Sequence, residues 1–209
     1  MTFEQVQNQV LKLLNQYSVA GTTVAPSYNN QQDYLNRIAS LANDAMVEIA
    51  TTARKIPAVL SLAELTGADY GDFVRYELPE DFYQFKTGDT LVTDEGHTLH
   101  TNRYELQGRK FLLVPKKELE DGASYTITYY RYPKLLDAKP KVEDELDNVP
   151  ETHYAVPFYV AAFLVLDDDS FKFASLYNKY EDKLEKMGAG VSVEAKPVAD
   201  IYGFGVYDC

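Results

Sequence analysis

The chain has 209 residues, 45% of them hydrophobic and 25% charged, enough for one core with a sizeable insertion. A formal net charge of −12 argues against a surface that grips phosphate backbones or anionic lipid, because both need clustered Lys and Arg. The same charge suits either an acidic coat that keeps the protein soluble or a channel wall that repels nucleic acid. The single cysteine, Cys209, excludes an intrachain disulfide and by itself makes no metal site. MTFEQVQNQV lacks the basic region and apolar core of a signal peptide.

Thr2 and Gln5 have the spacing of a capping box, which predicts a first helix from Thr2 to about Tyr17. Phe3, Val6, Val10, Leu13, Leu14 and Tyr17 form its apolar stripe. SVAGTTVAPSYNN reads as a loop. A second helix is expected from about Gln31 to Arg54, spanning roughly 36 Å. Tyr34, Ile38, Leu41, Ala45 and Ile49 line one face, and Ala39, Ala42, Ala45 and Ala50 would allow a close neighbour. Arg54 and Lys55 suit the negative end of its dipole, and Pro57 stops it.

The pattern changes from Ala58, across the stretch YGDFVRYELPEDF at Tyr70–Phe82. Phe73–Leu78, Thr90–Val92, Thr98–Leu106, Lys110–Val114 and Ser124–Tyr132 are predicted strands, separated by glycine turns such as Gln107-Gly108-Arg109. In the last of them Tyr125, Ile127 and Tyr129 share one face. Short strands and tight turns suggest one small antiparallel sheet or barrel. Pro133–Asn148 reads as a solvated acidic connection, too irregular for a core. Its carboxylates do not follow the spacing of a calcium loop.

Pro150 or Glu151 opens a third helix. Tyr154–Leu166 is apolar nearly all round, which predicts burial on several sides. The longest apolar run, Ala155–Leu166, contains Pro157 and falls short of the roughly 20 residues that cross a membrane. In Asp167-Asp168-Asp169-Ser170, a metal site is the weaker reading, and Asp169 or Ser170 is the expected cap of a fourth helix. Phe171, Phe173, Leu176, Tyr177, Tyr180 and Leu184 are its expected face, with an end near Met187-Gly188. Residues 189–209 form an apolar, aromatic, glycine-broken tail that either folds back on its own subunit or lies across a neighbour.

No pattern here encodes catalysis. The three histidines, His97, His100 and His153, stand in no motif with a nucleophile and a carboxylate. Phosphate loops, dinucleotide fingerprints and HExxH are missing from the sequence. Glu80 and Asp81 are adjacent in a turn, where solvation is the ordinary role. We expect no enzyme, no cofactor and no catalytic or metal residues. The 17 tyrosines suit interfaces and sheet faces alike.

The order of parts resembles a known family. ATTARKIP at Ala50–Pro57, LPEDFYQF at Leu78–Phe85, YYRYPKLL at Tyr129–Leu136, the run from Leu146 to Asp169 containing AVPFYVAAFLVLDDD, and ASLYNKYEDKLEKM at Ala174–Met187 look like the head-to-tail adaptor (connector) proteins of tailed bacteriophages. The resemblance covers most of residues 1–187. It implies an α+β fold: an antiparallel helical bundle from residues 1–57 and 149–188, an inserted small antiparallel β domain at 58–148, and an extended tail at 189–209. Also implied is a structural virion protein at the capsid portal vertex, made in the bacterial host cytoplasm. Such proteins form a homo-oligomer ring, often of twelve copies, that joins the portal protein to tail proteins and extends the DNA channel. DNA passes without specific binding, and no membrane is involved. Candidate interface residues are Tyr202, Phe204 and Tyr207 in the tail and Tyr28, Asn29 and Asn30 before the long helix. The alternative is a small-molecule or peptide-binding module without catalytic activity.

Overall fold

The computed structural model describes residues 1–14, 29–86, 91–93, 98–99, 104–119 and 121–189. Helix α1 (Phe3–Leu13) starts at the expected capping box: the Gln5 amide donates to Thr2 Oγ1 at 3.3 Å, and the Thr2 amide donates to Gln5 Oε1 at 3.1 Å. Phe3, Val6, Val10 and Leu11 are buried. The described helix stops at Leu13, with Leu14 as its C-cap, and the expected extension to Tyr17 lies beyond the described residues.

Helix α2 (Asn29–Glu48) continues into a five-residue π-helical turn at Ile49–Ala53, so the expected single α-helix to Arg54 is corrected over its last turn. The Arg54 amide donates to the Ile49 carbonyl at 2.8 Å, five residues back. Thr51 and Thr52 favour this departure. Their hydroxyls donate to the carbonyls of Val47 at 2.8 Å and Glu48 at 2.6 Å, competing with the regular backbone ladder. On α2 the fully buried face is Ile38, Ala42, Ala45, Met46 and Ile49, with Tyr34 and Leu41 only partly covered. The small residues bring α3 (Val156–Leu164) close, and α3 packs against α1, α2 and α4 (Ser170–Ala189).

A 3-10 turn at Pro150–Tyr154 precedes α3, with proline at its start as expected. Val156, Val160, Ala161 and Ala162 are completely buried, which agrees with an apolar circumference. Asp169 caps α4, its Oδ1 accepting from the Lys172 amide at 2.9 Å. The α3–α4 contact is largely aromatic. Tyr159 meets Tyr180 edge-on at 5.2 Å, and Phe163 meets Phe173 edge-on at 5.6 Å. Phe171 is a correction: it stands 85% exposed, because it turns away from the face that carries Phe173, Leu176 and Tyr180.

Among the described residues the strands number nine, in two antiparallel sheets. This corrects the expected five strands in one small sheet or barrel. The first sheet is built on β9 (Tyr125–Arg131). One edge of β9 pairs with β1 (Ile56–Ser61). Its other edge pairs with β4 (Phe82–Phe85) and β5 (Leu91–Thr93), and β6 (Thr98–Leu99) adds to β5. The second sheet runs β2 (Gly67–Tyr70), β3 (Phe73–Glu77), β8 (Phe111–Pro115), β7 (Glu105–Gln107). Gly71 and Gly108 turn its two hairpins with φ of 64° and 63°, a conformation that side chains with a Cβ disfavour.

Leu60, Phe82, Leu112, Val114, Tyr125, Ile127 and Tyr129 form the cluster between the sheets, with Tyr125, Ile127 and Tyr129 inward as their alternation predicts. A separate cluster joins α1 to α4. No helix among the described residues is long and apolar enough to cross a membrane.

Candidate interaction surfaces

Between the two clusters runs the connection 133–148, and its order corrects the expectation of a solvated loop. Leu136 and Leu146 are buried in the helical cluster. Asn43 on α2 clamps Leu136 from both sides: its amide nitrogen donates to the Leu136 carbonyl at 2.9 Å, and its oxygen accepts from the Leu136 amide at 2.8 Å. At the end of β9, Arg131 grips Asp147 with two bonds of 2.6 and 2.8 Å, and the same carboxylate accepts from the Lys134 amide. The guanidinium beside it holds Asp147 below the usual carboxylate range, and Asp147 in turn raises Arg131. Planar two-point pairing fixes orientation as well as distance.

The second sheet carries aromatic rings and cations on its outer face. Arg75 lies against both Tyr70 and Phe111, at 5.4 and 4.7 Å from their centroids. Lys116 pairs with Asp69 at 2.8 Å and Lys110 with Glu77 at 3.2 Å, so these neighbouring charges are matched within the sheet. Asp81, considered above beside Glu80, accepts from the Tyr129 hydroxyl at 3.1 Å. Burial, then the Asp81 charge, pushes that phenol up to about 12. Asp81 therefore anchors the turn before β4.

At the π-helical end of α2 the chain opens a shallow pocket of about 400 Å³. Thr52, Arg54, Lys55, Pro57, Tyr130 and Val149 line it. Lys55 Nζ stands 5.2 Å over the Tyr130 ring. No carboxylate among the described residues pairs with Arg54 or Lys55. Two unpaired cations over an apolar floor are unusual in a chain of net charge −12. Sequence reasoning assigned them to the helix dipole and missed the pocket. Its floor comes from β1, β9 and the start of the third helical segment, which are distant in sequence.

The corner between α3 and α4 has the opposite character. Residues 166–171 are all exposed, including Asp167 and Asp168, with Leu166 at 41% and Phe171 at 85%. Behind it, Tyr180 is fully buried and donates to Glu48 at 3.0 Å, its phenol raised by burial and by that carboxylate. Burial and the Glu48 charge likewise push Tyr159 up to about 12. No group of three or more potential metal ligands occurs among the described residues.

Comparison with known families decides what kind of surface to look for. The model of the SU10 adaptor protein family matches residues 1–199. The chain belongs to that family of phage head-to-tail adaptors. No curated protein matches it.

For an adaptor the working chemistry is contact, and the expected contact residues can be placed only in part. Asn29 and Asn30 open α2. Tyr28, Tyr202, Phe204 and Tyr207 lie outside the described residues, as do His97 and His100. His153 is buried in the adaptor's 3-10 turn. Its Nε2 lies 3.0 Å from the Asn148 carbonyl and its Nδ1 2.8 Å from the Met1 amino nitrogen. Burial, with that amino charge, lowers its pKa. It packs and hydrogen-bonds within the helical region. The cleft above it, about 710 Å³, is lined by Gln5, Asn8, Gln9, Lys12 and Glu151 among others.

Proposed function

We propose that the adaptor is one subunit of a ring that joins the portal to the tail and continues the DNA channel between them. The observation that carries this reading is the family match over residues 1–199. In it, twelve copies assemble at the capsid portal vertex after synthesis in the host cytoplasm. The helices of residues 1–57 and 149–188 form one unit, residues 58–148 a second, and residues 189–209 reach onto a neighbouring chain. Tyr202, Phe204 and Tyr207 anchor that reach, and Tyr28, Asn29 and Asn30 add a contact at the start of α2. Acidic residues face the channel, so DNA slides without the counterion release that binding would bring.

The adaptor works through contact, without catalysis. The cleft above His153 is open and lined largely by polar side chains, unlike the apolar concavities that hold small ligands, which weighs against a small-molecule module there.

The test is to mix the purified chain with portal rings and image the product, with and without residues 189–209. A second ring stacked on the portal, lost on truncation, is the expected result. Failure of the full chain to bind any portal ring would overturn the reading. A channel lined by basic side chains would overturn the acidic-wall component alone.

A further inference from the structure

We infer that the basic pocket at the π-helical end of α2 receives the α3–α4 corner of a second copy of this chain. The inference rests on the ring reading above and adds a subunit contact made by described residues.

The two surfaces match in chemistry. One offers Arg54 and Lys55 with no carboxylate partner among the described residues, above Pro57, Tyr130 and Val149. The other offers the exposed carboxylates of Asp167 and Asp168, flanked by the exposed Leu166 and Phe171. Asp169 is already engaged as the α4 cap and is not needed. In the seated corner the two carboxylates meet the two cations. Phe171 lies on the apolar floor and Tyr130 stays stacked beneath Lys55. Aromatic anchors and guanidinium groups are the residue types that dominate interface energetics.

Within one subunit the two surfaces cannot meet. Val149 of the pocket precedes α3, and the corner follows it, with the helix, roughly 13 Å long, between them. The contacts at each end agree. Asn148 reaches Met46 near the end of α2, whereas Lys172 reaches the Leu14 carbonyl at the end of α1. A donor surface at one end and an acceptor at the other make a head-to-tail contact. Every copy that joins leaves one of each free, so the contact propagates, and a suitable rotation per copy closes it into a ring. An unpaired charge pattern of this kind also fixes register between copies and steers their encounter.

Sedimentation velocity on the full chain, alone and on portal rings, tests the pairing with three variants. They are Arg54→Glu with Lys55→Glu, Asp167→Lys with Asp168→Lys, and all four changes together. None of these side chains has a carboxylate or cation partner to lose within the described subunit. The reversals do remove favourable charges from helix ends, and Lys55→Glu the contact with Tyr130, so urea midpoints should fall slightly and additively across the three variants, without the rescue expected of association. Each double reversal should raise the dissociation constant between copies by about tenfold or more, and the fourfold change should return it to within about threefold of wild type. Phe171→Ser should weaken association without changing its salt dependence. Ring formation unaffected by either reversal would overturn the pairing and leave the adaptor reading standing. Loss in both reversals without rescue in the combination would also overturn it. A wild-type chain that stays monomeric alone and on portal rings would remove the ring reading and the pairing together.

Discussion

The helical and sheet regions bury apolar side chains by different means. Small residues, Ala42 and Ala45 on α2 and Ala161 and Ala162 on α3, are inaccessible to solvent and let backbones approach closely, while the α3–α4 side is filled by rings. Between the sheets large rings fill the space, with Phe82 stacked 5.7 Å from Tyr129 and set edge-on to Phe85 at 4.8 Å. The approach of α2 to α3 depends on the absence of bulk, the space between the sheets on its presence. A substitution tolerated in one is therefore a poor guide to the other, and this difference can be tested directly.

Truncation in the middle of each cluster gives the largest effect. Ile38→Ala and Ile127→Ala both open cavities at inaccessible sites and should each cost about 3 kcal/mol in urea unfolding. Hydrogen exchange should then separate them: Ile38→Ala first loosens the helices, Ile127→Ala first loosens β1, β4 and β9. Equal loosening everywhere would break the comparison and make the chain one cooperative unit.

Arg131→Ala comes next, at about 2 kcal/mol, because it leaves the half-buried Asp147 without its partner. The pH dependence sharpens the point. The folded-state pKa of Asp147 is depressed, so its contribution is fully present above the unfolded carboxylate value and is lost as pH falls through the folded one. Wild type should therefore lose more stability than Asp147→Asn when acidified below about pH 4. Identical acid profiles would show that the pair adds nothing to the join.

Thr2→Ala removes one capping bond at the edge of the helical region and should lower the urea midpoint by about 1 kcal/mol equivalent. Lys186→Ala is the smallest. Its bond to Asp182 lies on the surface of α4, and the change should stay within about 0.5 kcal/mol.

Features set by neighbours in sequence were legible without coordinates. The Thr2–Gln5 box, the Asp169 cap, the alternation of Tyr125, Ile127 and Tyr129, and the buried circumference of α3 all follow from residues within a turn or two of one another. Pairings across the chain were not. Pro57 was taken as a helix stop. It is also the second residue of β1, which among the described residues pairs only with β9, so a missing donor on its other side does little harm. The short strands β2 and β4 carry too few residues to show a period. Asp147 belonged to a run of charges that looked solvated, and only the fold brings Arg131 to it. The pocket was hidden for the same reason. Phe171 was counted with the α4 face for being aromatic, yet it lies two residues before Phe173, about 200° round the helix, and so faces outward.

The π-helical turn at Ile49–Ala53 has a mechanical meaning. A helix advances about 100° per residue, so one residue more or fewer in that turn rotates everything downstream of it by nearly a third of a revolution. Through β1, that turn is where α2 hands the chain to the sheet. The angular phase between the helical region and the sheets is thus set by counting residues at one joint, as the tooth count sets the timing of two gears. Deleting Thr52 would leave each core its own side chains and mesh them out of step.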